Sequence, residues 1–272
     1  MKKDYIVISS EQAEIDEHVF AEDLWTHRFA NEALLPQRGK AVPQQQEYRI
    51  IQPFLAQLPP GSRILDGGCG EGEWVTFLTS QGFVAIGLDI REQTIAQLKK
   101  SFPNCQFVCG DIRHTDFESN SFDAYFSWGT FEHFENGLED CIGEAWRVLK
   151  PGGLLFVSVP FQNWWHILRD RKSLHKVDPT YDPQRGYQQP HRFYQWRLTR
   201  PELQRELELR GFRVLLVRPA PKWGGVSKWL RLNIPWLKQG SRLFALLRRA
   251  MAAVLPEAYI SHSVLAAAQK VG

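Results

Sequence analysis

The sequence predicts an α/β protein built on a doubly wound, mostly parallel sheet. Three observations carry that expectation. Short apolar strands alternate with helical segments through the middle of the chain, a glycine-rich loop follows the first of those strands, and the last two strand-like segments suit an antiparallel pair. With 272 residues, 43% hydrophobic and 23% charged, the chain can bury a sizeable core, and one large domain with appendages is expected.

The elements follow in order. "SRILDGG" is a strand, and "GEWVTFLTSQG" a helix closed by Gly82. "FVAIGLDI" is the second strand, and "EQTIAQLKKSFP" a helix stopped by Pro103. "CQFVCGDI" and "SFDAYFSW" are the third and fourth strands; "GLEDCIGEAWRVLKPGG" is a helix with a Pro-Gly-Gly stop before the fifth strand, "LLFVSVP". Ahead of this core (61–160), residues 1–60 are expected to form a helical cap, in which Ile50, Ile51, Phe54 and Leu58 recur at helical spacing. Behind it, 161–218 should hold a long loop (Phe161–Leu198), a helix with Thr199 as N-cap and Glu202 completing a capping box, and a sixth strand, "FRVLLVRP". A basic amphipathic insertion (219–258) then precedes the last strand (259–272), which pairs antiparallel with the sixth.

Composition narrows the function classes. A net charge of +3 gives no general case for nucleic acid. The four cysteines show no zinc or redox spacing, and Cys69, Cys105 and Cys109, in or beside strands, are expected to be buried thiols. His166, His175 and His191 are too irregularly spaced for a metal site, and none is expected. The amino terminus lacks an apolar leader, and no run approaches the about 20 apolar residues of a spanning helix, so a cytoplasmic protein is expected.

In sheets of this kind ligands bind at the carboxyl ends of the strands near the switch point, which puts "ILDGGCGEG" at the mouth of a pocket. A dinucleotide fingerprint needs G-x-G-x-x-G, yet after Gly68 and Gly70 the third position is Glu73. Glu71 and Glu73 at the start of the next helix oppose a pyrophosphate and tolerate a cation.

The pattern Asp66-x-Gly68-x-Gly70-x-Gly72 resembles motif I of the class I S-adenosylmethionine-dependent methyltransferases, in their small-molecule branch. The resemblance spans about residues 61–160, and more loosely reaches 218, through "GLDI", "CGDI", "SFDAYFSWGTFEHF" and "RVLKPGGLLFVSVP". It implies a Rossmann-like fold and S-adenosyl-L-methionine as cofactor, with S-adenosyl-L-homocysteine as product. Gly67, Gly68 and Gly70 would meet its methionine part, Asp66 would touch the cofactor or order the loop through backbone hydrogen bonds, and Asp89 would accept from the ribose hydroxyls. Ile90 and Ile112 would flank the adenine, Asp111 would accept from its amino group, and Ser127 and Trp128 would line the pocket. Asp89 could otherwise cap a helix, and Trp128 could be a packed core residue. His133 is the candidate general base, with a structural role as the alternative, and Glu132 is expected to order the loop. Tyr181, Tyr187, His191 and Tyr194 are candidate acceptor contacts.

The expected activity is O-methylation of a small molecule such as a sugar, a glycan or a lipid-linked acceptor. The alternative is a cofactor-binding but catalytically silent subunit or regulator; a dehydrogenase is more remote. The connection Ala220–Pro256 carries Lys222, Lys228, Arg231, Lys238, Arg242, Arg248 and Arg249 without an acid, interleaved with Trp223, Trp229 and Trp236. From the N-cap Ser241, an apolar stripe of Leu243, Leu247, Ala250 and Val254 is expected, with Arg242 and Arg249 pointing away. Such a segment is a lid packed on the domain, a dimer contact, an anionic acceptor site, or an interfacial helix contacting the inner membrane surface through 222–255.

Overall fold

The computed structural model describes residues 1–9, 15, 19, 38–173, 181–182, 186–187 and 190–272. Strand β1 (Lys2–Val7) and a 3-10 turn (Arg38–Gln44) precede helix α1 (Gln46–Leu55). The core then alternates β2 (Arg63–Gly67), α2 (Glu73–Ser80), β3 (Val84–Asp89), α3 (Glu92–Ser101), β4 (Gln106–Cys109), β5 (Phe122–Trp128), α4 (Glu139–Val148) and β6 (Leu149–Pro160). There follow α5 (Trp164–Ser173), β7 (Tyr181–Asp182), β8 (Gly186–Tyr187), β9 (His191–Arg197), α6 (Arg200–Glu208) and β10 (Phe212–Ala220). Helices α7 (Lys222–Asn233), α8 (Arg242–Val254) and α9 (Glu257–Ile260) lead to β11 (Ser263–Lys270).

Seven strands form one sheet in the order β10-β11-β6-β5-β2-β3-β4. β6, β5, β2, β3 and β4 are mutually parallel, and β11 runs antiparallel to both β10 and β6. The expected doubly wound sheet with an antiparallel last strand is therefore present. Alternate side chains feed two cores. Leu65, Tyr125 and Leu155 face α4 and α6, whereas Ile64, Phe126 and Phe156 face α1, α2 and α3. Each such apolar side chain contributes about 1.5–3 kcal/mol on burial. The chain reverses its direction of winding between β2 and β5, so the crevice opens where those two strands end.

Local punctuation is largely as expected. Gly82 takes a positive φ of 86° after α2, the Thr199–Glu202 capping box starts α6, and the Ser241 hydroxyl accepts from the Phe244 amide at 3.1 Å.

Four expectations need correction. Residues 2–7, within the expected helical cap, are a strand paired antiparallel with β9, and Asp4 bonds Arg197 at 2.8 Å. The stretch 161–198, expected as a loop, contains α5 and β9; the Asn163 carboxamide oxygen accepts from the His166 amide at 2.8 Å and starts the helix. Cys109 is exposed and Cys105 half-buried, because β4 is the sheet's edge strand. On α8 the face turned inward is that of Phe244 and Ala252, flanked by Leu247 and Met251, while Leu243, Ala250 and Val254 are exposed. Turning by one residue exchanges Leu243 for the larger ring of Phe244.

Helices α7, α8 and α9 enclose a separate small core of Val226, Leu230, Leu237, Phe244, Ala252 and Ile260. Within it α7 and α9 pack tightly at Gly225, where a Cβ would overlap the Ile260 carbonyl oxygen. Gly225→Ala should therefore cost about 1–3 kcal/mol of stability by overpacking against backbone. Thermal unfolding measures this, and a variant as stable as the parent would contradict the packing described.

Candidate active site

The loop after β2 is held from both sides. Gly68 and Cys69 donate their amides to the Leu88 carbonyl at 2.8 and 2.9 Å. A Cβ at Gly67 would fall on the Tyr125 hydroxyl, and one at Gly68, where φ is +78°, on Thr130. Glycine is required here because β5 and the segment just after it close on the backbone.

Acidic side chains surround this loop. Asp89, at the end of β3, accepts from the Gly70 amide at 2.9 Å through one oxygen. Through the other it accepts from the Arg91 amide and Nε, both at 3.1 Å. Arg91 also reaches Glu71 at 3.4 Å. Asp66 is buried, and burial pushes its carboxyl up to about 8, with Asp89 and Glu73 adding to the rise. A pocket that crowds carboxylates together suits a ligand carrying positive charge and opposes a pyrophosphate.

Other features also fit a bound cofactor. The Tyr125 hydroxyl, Ser127 Oγ and Trp128 Nε1 are buried without hydrogen-bond partners among the described residues. Ile90 is half-buried and Ile112 buried, beyond the ends of β3 and β4. Asp111 receives Arg113 in a fork, with Nη2 at 2.7 Å and Nε at 3.1 Å from the same oxygen, and the guanidinium stacks over Phe134 at 4.4 Å. An adenine amino group would share this carboxylate with Arg113.

After β5, a 3-10 turn (Phe131–His133) carries His133. Its Nδ1 donates to the Tyr194 carbonyl at 2.7 Å, which makes Nε2 the basic nitrogen of the neutral ring. Nε2 lies 3.8 Å from Glu132, a buried carboxyl pushed up to about 8 by burial. Strand β9 brings the Tyr194 ring to 5.2 Å from the imidazole. The side chains of Tyr181, Tyr187 and His191, and all of His175, lie outside the described residues. His166 is a buried structural group: Nδ1 donates to the Phe161 carbonyl at 3.0 Å, and burial, then Arg197, pushes the ring down to about 3.

Sequence reasoning missed Arg91 and Arg113, although a signal existed. Asp-Ile-Arg occurs twice, as Asp89-Ile90-Arg91 and Asp111-Ile112-Arg113, and each arginine folds back onto the aspartate two residues before it. The Tyr194 carbonyl was beyond reach, since a backbone acceptor leaves no mark in the sequence.

The buried carboxyls set a pH dependence. Asp66 and Glu132 are held near 8 in the fold against ordinary values of 3.8 and 4.5, so the stability they contribute is present at low pH and lost as pH rises through 8. His166 acts oppositely, but only below its ordinary value of 6.5. Between pH 6.5 and 8 the ligand-free protein should lose several degrees of Tm, and Asp66→Asn should remove part of that slope. Calorimetric scans across the window check this, and a Tm that stays level or climbs would contradict it.

Residues 64–153 match the family model described as a methyltransferase domain. The chain is 33% identical over 138 residues to 24-methylenesterol C-methyltransferase 2 of Oryza sativa subsp. japonica, covering 48% of this chain and 37% of the relative. To the malonyl-[acyl-carrier protein] O-methyltransferase of Enterobacter lignolyticus it is 29% identical over 124 residues, 43% of this chain and 49% of the relative. The chain thus spans less than half the length of the curated relatives it matches. In fold it is similar to a crystal structure of an S-adenosylmethionine-dependent methyltransferase from Methanosarcina mazei, with a TM-score of 0.54 at 21% identity over 80% of this chain and 96% of the other. Residues 64–153 thus form a methyltransferase domain, and the fold around them is the Rossmann-like fold of S-adenosylmethionine-dependent methyltransferases.

Proposed function

We propose that this protein transfers the methyl group of S-adenosylmethionine to an oxygen of a small molecule such as a sugar, a glycan or a lipid-linked acceptor. The observation that supports it is that the segment after β5 sets Thr130 against the Gly68 backbone, beside the carboxylate-crowded loop, and carries His133, with Nε2 as its basic nitrogen, three residues further on. Bound S-adenosylmethionine supplies a methyl group already activated by its sulfonium. Asp89 accepts from the ribose hydroxyls, Ile90 and Ile112 flank the adenine, and Asp111 accepts from its amino group. Asp66 and the backbone from Gly67 to Gly70 face the cationic methionine part, and Ser127 and Trp128 line the wall beside it. His133 takes the acceptor's proton at Nε2 while the Tyr194 carbonyl holds the ring in place. Holding acceptor and methyl in line contributes about 7–11 kcal/mol, and the base a further factor of about 10²–10⁴.

The relatives' printed names cover carbon and oxygen methylation, so the shared core does not choose the acceptor. Under this reading that choice belongs to the segments outside residues 64–153, Tyr194 among them, and the side chains of Tyr181, Tyr187 and His191 are further candidates. No helix among the described residues is long and apolar enough to cross a membrane. The reading places the enzyme in the cytoplasm.

Two variants separate cofactor binding from chemistry. Asp89→Ala should weaken S-adenosylmethionine and S-adenosylhomocysteine binding by roughly 10–150-fold, from the loss of hydrogen bonds worth about 1.5–3 kcal/mol. Unchanged affinity by calorimetry would remove Asp89 from the site. His133→Ala should lower kcat about 10²–10⁴-fold with cofactor affinity intact. Full turnover in that variant would leave the histidine a structural role. Cofactor binding without turnover on any sugar or lipid-linked acceptor would point to the silent subunit.

A further inference from the structure

We propose that the hairpin of α7 and α8 docks on an anionic membrane surface through the outward face of α8 and the turn before it. Helix α8 carries apolar residues on two faces. One packs into the small core through Phe244 and Ala252. The other, formed by Leu243, Leu246, Ala250, Ala253 and Val254, follows helical spacing and is uncovered, with Leu246 at 64% and Val254 at 81% exposure. Trp236, at 75% exposure, stands in the turn joining the helices, and Leu232 at the end of α7 is also exposed. Large apolar groups at this density are not ordinary surface; they mark a face that meets something.

The charge pattern selects what it meets. The connection from Ala220 to Pro256 holds seven lysines and arginines and no acid. Arg242 and Arg249, seven residues apart, are exposed beside Leu243 and Ala250, and Lys238 is exposed in the same turn as Trp236. Arg248 is used internally, 5.4 Å over the Trp223 ring, and braces the hairpin. Leucines and a tryptophan set among cations form the pattern of an interfacial helix, whose apolar side enters the headgroup boundary while its cations meet lipid phosphates. A second copy is a poor occupant. A two-fold contact would bring this acid-free surface against itself, cation to cation.

This surface is separate from methyl transfer. Vesicle binding needs neither cofactor nor acceptor, so failure of either proposal leaves the other standing. The test is sedimentation of the full chain with vesicles of phosphatidylcholine alone and of phosphatidylcholine mixed equally with phosphatidylglycerol. Partition onto the mixed vesicles should be about 10-fold or more higher and should fall as salt rises. The double variant Leu243→Ser with Leu246→Ser, and the double variant Arg242→Glu with Arg249→Glu, should each lower it about 10-fold. Both should keep the parent Tm, and Leu209→Ser, at an exposed leucine elsewhere, should change nothing. Equal partition onto both vesicles, or binding indifferent to the hairpin variants, would overturn the proposal. So would variants that dissolve a dimer in the absence of vesicles, or that alter acceptor KM where no pelleting occurs.

Discussion

The backbone at Gly67 and Gly68 has no room to move, and the site depends on that constraint. Tyr125 on β5 and Thr130 just beyond it occupy the space side chains would need, while two amides of the loop are fixed to the Leu88 carbonyl. The loop therefore cannot relax without unpacking the centre of the sheet. Asp89 adds a further tie through the Gly70 amide, so the residue proposed to hold the ribose also holds the loop that would face the methionine part. Under the proposed reading, positioning of the cofactor is built into the packing of β2, β3 and β5 before any ligand arrives.

The electrostatic cost of this arrangement defines its ligand. Asp66, Asp89 and Glu73 lie near one another, and Asp66 is held neutral by burial and by its neighbours until about pH 8. A cation entering the pocket relieves that crowding; a pyrophosphate would aggravate it. Arg91 and Arg113 offset the charge locally, each fastened to one strand-end aspartate. The two arginines keep both carboxylates in a defined orientation, ready to accept further hydrogen bonds.

Much of this was legible in the sequence because it resides in local patterns. Strand and helix periods, the Gly82 stop, the Thr199–Glu202 cap and the glycine loop are each encoded within a few neighbouring residues. What escaped depends on distant partners. Residues 2–7 become a strand only because β9, some 190 residues away, offers an edge. The phase of α8 was misread because Leu243 and Phe244 are both apolar, and only the cavity beneath them decides which turns inward. The tautomer of His133 is set by a carbonyl on β9, which no residue type announces.

The central claim is that the crevice beyond β2 and β5 selects a cationic nucleoside ligand over a dinucleotide. Calorimetric titration of the purified chain with S-adenosylmethionine and with NAD, under the same buffer, tests it most directly. Saturable binding of S-adenosylmethionine with none of NAD is the predicted result. Binding of NAD, or failure to bind S-adenosylmethionine, would contradict the account.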